Sequence, residues 1–434
     1  MRIQVEHVTR IEGHAHLVVD AARGDLRECR LEVVESPRFF EMLLRGRPSA
    51  DVAPLAARIC GVCSHSHTLA SLAATEAALG VRVSPQTRRL RRLLACGEIL
   101  QSHLLHLYFM AAPDYLGIKS LLPPAPTGML PLAKSRRDLV SRALRMKKLA
   151  NDLCRVVGGR AVHPVTPCVG GFATVPEAGA LLELRRRLVG SFGDLEATVE
   201  LFGSFSVPSF TRATRCQCLV EEPGYPLMGE WIACSDGARV PVADYRSFIE
   251  EYTVAHSTAK FARSAGAAYQ VGPLARVKNA FSALSPMARK VARALGLDPD
   301  TANPYDNVYA RLVEVVHWVE AAIGWIDAVL AAGLAPEPPA APTRAGGWGA
   351  AAVEAPRGTL IHAYAYDGDG RLEQADCVIP TAQNLANIEA DLAALVATLA
   401  GQPREEVTRR LEMLLRAYDP CISCSTHTLQ VEFV

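Results

Sequence analysis

Two cysteine pairs stand at opposite ends of the chain, each spaced for one metal. The first is Cys60-Gly61-Val62-Cys63, with His67 shortly after it. The second is Cys421-Ile422-Ser423-Cys424, followed by His427. Two intervening residues let both thiolates of a pair reach one ion from a single turn. Soft thiolates select zinc, copper(I), iron–sulfur or nickel–iron centres over hard cations. In structural zinc sites the two pairs close a short loop, typically about 15–20 residues apart. Here almost the full length of the chain separates them. A structural zinc site stays open as the alternative. A site that joins two distant ends is a poor local staple and a good catalytic centre.

The elements that must position these residues can be read from periodicity. Residues 68–79 are rich in Ala and Leu and end at Gly80. The first pair therefore precedes a helix, where N-terminal amides and the dipole favour thiolates. Residues 1–35 alternate as strands through Ile3, Val5, Val8, Leu17, Val19, Leu31 and Val33, with a turn at Ala22-Arg23-Gly24-Asp25. Residues 39–44 predict a short helix stopped at Gly46. Long helices are predicted over 86–115, 133–157, 177–202 and 309–332. Residues 121–131 are Pro-rich and predict a loop, and 203–250 are mixed, with short strand-like pieces. Residues 333–349 are linker-like, with Pro336, Pro338, Pro339 and Pro342. Residues 359–378 read as strands about Asp367-Gly368-Asp369-Gly370, and 383–399 and 404–416 as helices leading into Asp419-Pro420. No internal repeat is present. The pattern is a helix-dominated α+β fold. Because the pairs come from both ends, the chain is expected to close on itself as one domain.

Composition narrows the function classes. The chain has 434 residues, half of them hydrophobic, enough for a large core. Lys plus Arg number 46 and Asp plus Glu 45. This balance gives no basic excess for nucleic acid or an anionic membrane surface. Met1-Arg2-Ile3-Gln4-Val5-Glu6 carries charge early and no apolar signal segment follows. The twelve cysteines are therefore expected to be reduced, in a cytoplasmic protein. Cys29, Cys96, Cys154, Cys168, Cys216, Cys218 and Cys234 read as buried thiols. No run reaches the roughly 18 uncharged apolar residues of a spanning helix. Residues 312–334 contain Glu314, Glu320 and Asp327, which points to a buried helix instead. No Gly-x-Gly-x-x-Gly follows a strand, so any nucleotide is expected on a partner.

The flanks of the cysteine pairs carry a resemblance. Arg58-Ile59-Cys60-Gly61-Val62-Cys63 with His67 resembles the first signature of nickel–iron hydrogenase large subunits. Asp419-Pro420-Cys421-Ile422-Ser423-Cys424 with His427 resembles the last. Arg10-Ile11-Glu12-Gly13-His14, the segment 158–164 with Gly170-Gly171-Phe172, and Ala355-Pro356-Arg357-Gly358 agree in order. The similarity runs from about Arg10 to His427.

The resemblance implies a nickel–iron centre whose iron carries carbon monoxide and cyanide. Cys60 and Cys421 would bind nickel terminally, and Cys63 and Cys424 would bridge to iron. Glu12 aligns with the proton-passing glutamate. Arg357, after Pro356, aligns with an arginine over the open coordination position, and Asp419 with its carboxylate. Thr381 falls where relatives place a hydroxyl donor to a cyanide. Ser102 aligns where some relatives carry a second aspartate. His67 would donate to a cysteine sulfur. Glu41, the Cys377 carbonyl and His427 align with ligands of Mg2+, a hard cation suited to oxygen donors. The implied activity is reversible heterolytic cleavage of dihydrogen to protons and electrons.

No further cysteine set suits an iron–sulfur cluster, so the resemblance places such clusters on a separate small subunit. Further flavin or iron–sulfur subunits would carry electrons to an acceptor, NAD(P) being favoured over a deazaflavin or a heterodisulfide. A maturation protease and nickel-insertion proteins are implied as well. The protease would remove residues 428–434, leaving 1–427. Two other readings are a hydrogen sensor and a non-catalytic scaffold related to the quinone-side subunit of respiratory complex I. The four cysteines speak against the scaffold.

Overall fold

The computed structural model describes residues 2–22, 25–122 and 134–426. Most of the expected 121–131 loop, Arg23-Gly24 of the first turn, His427 and the 428–434 tail lie outside the described residues. The fold is helix-dominated α+β. Its centre is the helix Asn307–Ala332. The first half of that helix is apolar on nearly every face, so it must be enclosed. Helices Pro85–Leu105, Ala178–Gly190 and Pro286–Ala294 enclose it, and Lys134–Gly158 packs outside the first of these. Asn307–Ala332 is long and apolar enough to cross a membrane by length and composition alone. It carries Arg311 and Glu314 at 0 % exposure, both charge-paired within the core.

Two expected helices differ in detail. Ser84 caps Pro85–Leu105 by accepting from Thr87 N at 3.0 Å. The chain then passes through a π-helical segment, His106–Ala111, before Ala112–Tyr115. Wide turns of this kind are frequent at functional sites. The expected helix over 177–202 is two helices, Ala178–Gly190 and Phe192–Gly203. They meet at Ser191, whose Oγ donates to Leu188 O at 2.7 Å. Such a hydroxyl competes with the backbone ladder, and Gly190 and Gly193 weaken the helix on either side.

The sheets hold the site loops. Gly347–Ala355 and Gly358–Tyr366 form an antiparallel hairpin, flanked by Leu372–Val378 and Met228–Gly229. This hairpin lies on helix Ser64–Leu79. A Cβ at Gly349 would fall 2.2 Å from Ala78 N, so only glycine permits the contact. The hairpin turn carries Pro356 and Arg357. Helix Pro380–Thr398 begins just after the strand that ends at Val378. The N-terminal strands Arg2–Val5, Ala15–Ala22 and Asp25–Val33 make an antiparallel sheet against that helix. The last long helix, Arg404–Tyr418, stops at Asp419, a left-handed residue with φ 55° followed by Pro420. That turn aims Cys421 inward.

Candidate metal centre

The four cysteines converge. Cys60 Sγ lies 3.5 Å from Cys421 Sγ, and Cys63 Sγ lies 3.3 Å from Cys424 Sγ. All four ligand atoms fall within 4.8 Å of one another, and all four residues are buried. A metal about 2.3 Å from each sulfur puts tetrahedral neighbours about 3.8 Å apart, so the set fits one ion. Each pair straddles a helix start. Cys63 is the N-cap of Ser64–Leu79, and Cys421 the N-cap of Ile422–Ser425. Cys60 Sγ also accepts from Val62 N and Cys63 N, each at 3.3 Å.

The protonation pattern has a physical cause. The Cys60 thiol is held well below its ordinary range, first by the hydrogen bond with Cys421 and then by those with Cys424 and Cys63. Cys424 is pushed up to about 11, with burial as the leading cause. Four sulfurs this close do not all ionise by themselves; a bound cation makes all four thiolates.

A small cavity of about 10 Å³ borders the cluster. Cys63, Cys421, Cys424, Arg357 and Thr381 line it, together with apolar Leu360 and Ile379. Three of the four sulfur-bearing residues, Cys63, Cys421 and Cys424, therefore face it together with a cationic and a hydroxyl side chain. The four-thiolate donor set fits a soft metal centre.

Around this space the expected residues are brought together. Glu12 Oε2 accepts from Cys421 Sγ at 3.2 Å and from Ser423 N at 3.0 Å, and Oε1 accepts from Ser423 Oγ. Glu12 is half-buried, between the sulfur and the outside. Gly13 lets this loop approach: a Cβ there would lie 2.7 Å from Ile422 Cβ, and its φ is +82°. Arg357, 4 % exposed, donates through Nε to Asp419 O at 2.7 Å and through Nη2 to Asp419 Oδ1 at 2.9 Å. Its Nη1 is 3.4 Å from Ser102 Oγ, so Ser102 occupies the expected place with a hydroxyl instead of a carboxylate. Thr381 Oγ1 accepts from Cys421 N at 2.9 Å, which leaves its hydrogen for the cavity. His67 Nε2 is 3.3 Å from Cys424 Sγ. Glu41 Oε1 accepts from Cys377 N at 2.9 Å, so two of the three expected magnesium ligands are neighbours. The third, His427, lies outside the described residues.

Four contributors escaped the sequence. Arg311, at 0 % exposure, sits with Nε 3.9 Å from Asp419 Oδ2. An arginine within an apolar helix was the available signal. Arg276 donates to Ala355 O and is paired with Glu314 and Glu354, so it props the turn that carries Arg357. Glu98 anchors the start of Ser64–Leu79 by accepting from His65 N at 2.7 Å and Ser66 N at 2.8 Å. Arg38 Nη2 donates to both Ile59 O and Ser423 O, one beside each cysteine pair. Glu98 and Arg38 gave no sequence signal. The remaining cysteines are buried or half-buried thiols, as expected; Cys216 and Cys234 are each pushed up to about 11, first by burial.

A family model described as nickel-dependent hydrogenase matches residues 38–142 and 237–427. A second model, described as HoxL-like, matches residues 2–36. The chain belongs to the nickel-dependent hydrogenase family. It is a large, catalytic subunit of that family. Sulfhydrogenase 1 subunit alpha of Pyrococcus furiosus is 32% identical over 431 residues, covering 99% of this chain and 98% of its own. NAD-reducing hydrogenase HoxS subunit beta of Cupriavidus necator is 29% identical, covering 99% and 95%. An NAD+-reducing nickel–iron hydrogenase in its H2-reduced state superposes with TM-score 0.86 at 28% identity, over 98% of this chain and 99% of that one. The Ni-Fe-Se hydrogenase of D. vulgaris Hildenborough gives TM-score 0.79 at 25% identity, over 98% and 100%. As a nickel-dependent hydrogenase, the chain is an oxidoreductase acting on hydrogen.

Proposed function

We propose that this hydrogenase subunit interconverts dihydrogen with protons and electrons at the four-cysteine site. One observation carries the reading: four buried sulfurs lie within 4.8 Å of one another, with a small cavity beside them lined by Arg357 and Thr381. Cys60 and Cys421 would hold nickel, and Cys63 and Cys424 would be the ligands it shares with an iron carrying carbon monoxide and cyanide. When bound, this centre supplies the heterolytic cleavage of dihydrogen. Cys421 Sγ then hands a proton to Glu12 Oε2, 3.2 Å away. The half-buried position of Glu12 suits passage outward. Arg357 holds a planar fork of donors and a fixed charge over the cavity, oriented by Asp419. The Thr381 hydroxyl, which accepts from Cys421 N, would have its own hydrogen available for a diatomic ligand of the iron. Leu360 and Ile379 keep water out. Glu41, the Cys377 carbonyl and His427 would hold Mg2+.

Electrons leave through an iron–sulfur small subunit and further electron-transfer subunits. The relatives named NAD-reducing favour NAD(P) as acceptor. We place the complex in the cytoplasm, with residues 1–427 as one domain and the 428–434 tail removed by a maturation protease after nickel insertion. Metal analysis with infrared spectroscopy of the purified complex tests the centre. Nickel, iron, and carbon monoxide and cyanide bands are expected; their absence from active protein overturns it. Turnover with an artificial acceptor separates the enzyme from a hydrogen sensor with the same site.

A further inference from the structure

On the proposed reading a proton passes from Cys421 to Glu12, and these two residues come from opposite ends of the chain. They meet as an isolated parallel bridge. Ile422 N donates to Glu12 O at 3.0 Å, and Ser423 N donates to Glu12 Oε2 at 3.0 Å. A bridge one residue long has little hold of its own. The two segments are kept in register from further out.

Asp114 supplies that hold. Its carboxylate, 6 % exposed, is shared by two arginines. Arg10, just before Glu12 in the chain, donates to Asp114 Oδ1 and, through Nη1, to Met110 O at 2.7 Å. Arg416, near the end of the last long helix, donates through Nε to Asp114 Oδ2 at 2.7 Å and through Nη2 to Oδ1 at 2.9 Å. Its Nη1 donates to Thr9 O at 3.1 Å. The Arg416 carbonyl in turn accepts from Asp419 N at 2.9 Å and from His106 Nε2 at 2.7 Å. Three segments therefore close on one carboxylate: the N-terminal loop, the π-helical turn with Ala112–Tyr115 after it, and the end of Arg404–Tyr418. Charge-assisted and bidentate bonds of this kind are the strong ones. The backbone shows how firmly the loop is held. Arg10 sits at φ 61°, a left-handed conformation that a residue with a Cβ keeps only when its surroundings fix it.

We propose that Asp114 and Arg10 are positioning residues that hold the Glu12 carboxylate against Cys421 Sγ, by tying the loop that carries Glu12 to the end of the last long helix. This rests on the reading of Glu12 as the proton acceptor. Both residues act through the backbone that bears Glu12. Proton transfer needs its donor and acceptor within hydrogen-bond reach. A misplacement of about 1 Å costs on the order of 100-fold in rate. Asp114→Asn keeps the shape but turns an NH2 group toward one of the two arginines, so one tie is lost.

The test uses the metal-loaded enzyme, with nickel, iron and the carbon monoxide and cyanide bands measured first. Asp114→Asn and Arg10→Met should leave these at wild-type values. Amide exchange followed by mass spectrometry over residues 421–425 should be at least about tenfold faster, the scale of losing one charge-assisted bond. Dihydrogen–deuterium exchange should fall by roughly 100-fold. The solvent isotope effect on turnover should rise, because the proton step becomes limiting; a mere loss of active enzyme leaves that ratio alone. Arg10 is half-buried, so Arg10→Met decides the matter if Asp114→Asn does not load metal. Glu76→Gln is the control. It breaks an equally buried bidentate pair, with Arg91, that also holds Gly170 N, and should change neither the 421–425 amides nor the isotope effect. Wild-type amide exchange at 421–425, an unchanged isotope effect, or equal changes in Glu76→Gln overturns the proposal. Wild-type dihydrogen–deuterium exchange in Glu12→Gln overturns the reading of Glu12 instead.

Discussion

At the scale of single residues, the proposed function gives proton handling to Glu12 and charge handling to Arg357. Glu12 touches Cys421 Sγ and the Ser423 amide with the same oxygen, so a proton moved there arrives on a group already held in place. Glu12→Gln keeps this shape, but an amide does not relay protons near neutral pH. Hydrogen uptake and hydrogen–deuterium exchange should both collapse with nickel and iron unchanged; wild-type exchange in this variant would remove Glu12 from the path. Arg357 works by position. Its Nε and Nη2 clamp Asp419, which turns the remaining guanidinium edge to Ser102 and the cavity. Lysine offers a point charge in place of that fork. Arg357→Lys should lower turnover by roughly 100-fold, the scale of losing one preorganised donor, with metal content intact. Unchanged turnover would make Arg357 a structural residue. Asp419 Oδ2 and Arg311 Nε are both buried and lack a hydrogen-bond partner at 3.9 Å from each other. That spacing is right for one ordered water between them.

At the scale of elements, buried charge fixes how helices meet. Cys63 occupies the cap position of Ser64–Leu79 with its sulfur turned to the metal, so the amides of the first turn need another acceptor. Glu98, reaching across from Pro85–Leu105 at 0 % exposure, supplies it. Asn307–Ala332 is held from two sides. Arg276 binds Glu314 and Glu354, and His103 Nε2 lies 2.7 Å from Glu314 Oε2. Burial pulls His103 down to about 4, outweighing the raising effect of Glu314, and pulls His317 down to about 4 likewise. Both are lower than in the unfolded chain, so between about pH 6.5 and 4 the unfolded state binds more protons. Stability is then complete above about pH 6.5 and lost as pH falls, by about 3 kcal/mol for each histidine. Urea midpoints measured near pH 7 and pH 5 should show the drop. His317→Gln should flatten it; a variant as acid-sensitive as wild type would show that His317 does not carry its share.

At the scale of the whole molecule, the recurring problem is closure. The N-terminal and C-terminal cysteine pairs must bring their four sulfurs within 4.8 Å of one another. Arg38 is the strap. Besides the two carbonyls its side chain binds, its own N–H donates to Thr426 O at 2.8 Å. Arg38→Met keeps the apolar stem and removes the donors. Charge-assisted bonds of this kind are worth roughly 1.5–3 kcal/mol each, so metal retention should weaken by at least about tenfold. Nickel per chain after dialysis against a chelator reads this directly, and full retention would show that the cysteines hold the ends together unaided. Closure also bears on the tail. On the proposed reading, in which the chain end lies beside the buried centre, a continuing tail would carry unpaired backbone groups through the interior. Intact mass spectrometry of active enzyme should therefore show a chain ending at His427, and full activity with Val434 still present would count against obligatory cleavage.

The ligand residues and their local setting were legible in the sequence. Cysteine pairs, the Glu12 and Arg357 motifs, and the helix after Cys63 are short-range patterns, set by spacing and by start and stop residues. The central helix was legible too, because its apolar run is long. The breaks were not. Ser191 and the π-helical segment at His106–Ala111 divide what periodicity reads as unbroken helix, since a hydroxyl or one wider turn barely alters the hydrophobic pattern. Nor was anything that depends on distant partners legible. Arg38 and Glu98 are ordinary residues in their own segments, and each acquires a role only across a packing interface. The cavity beside the cysteines likewise arises where a hairpin turn, two helix starts and the last turn of the chain come together. Sequence names the atoms that bind metal because chemistry restricts which side chains qualify. Tertiary structure alone decides which hydrogen bonds orient them, because any polar residue qualifies once the fold puts it within 3 Å or so.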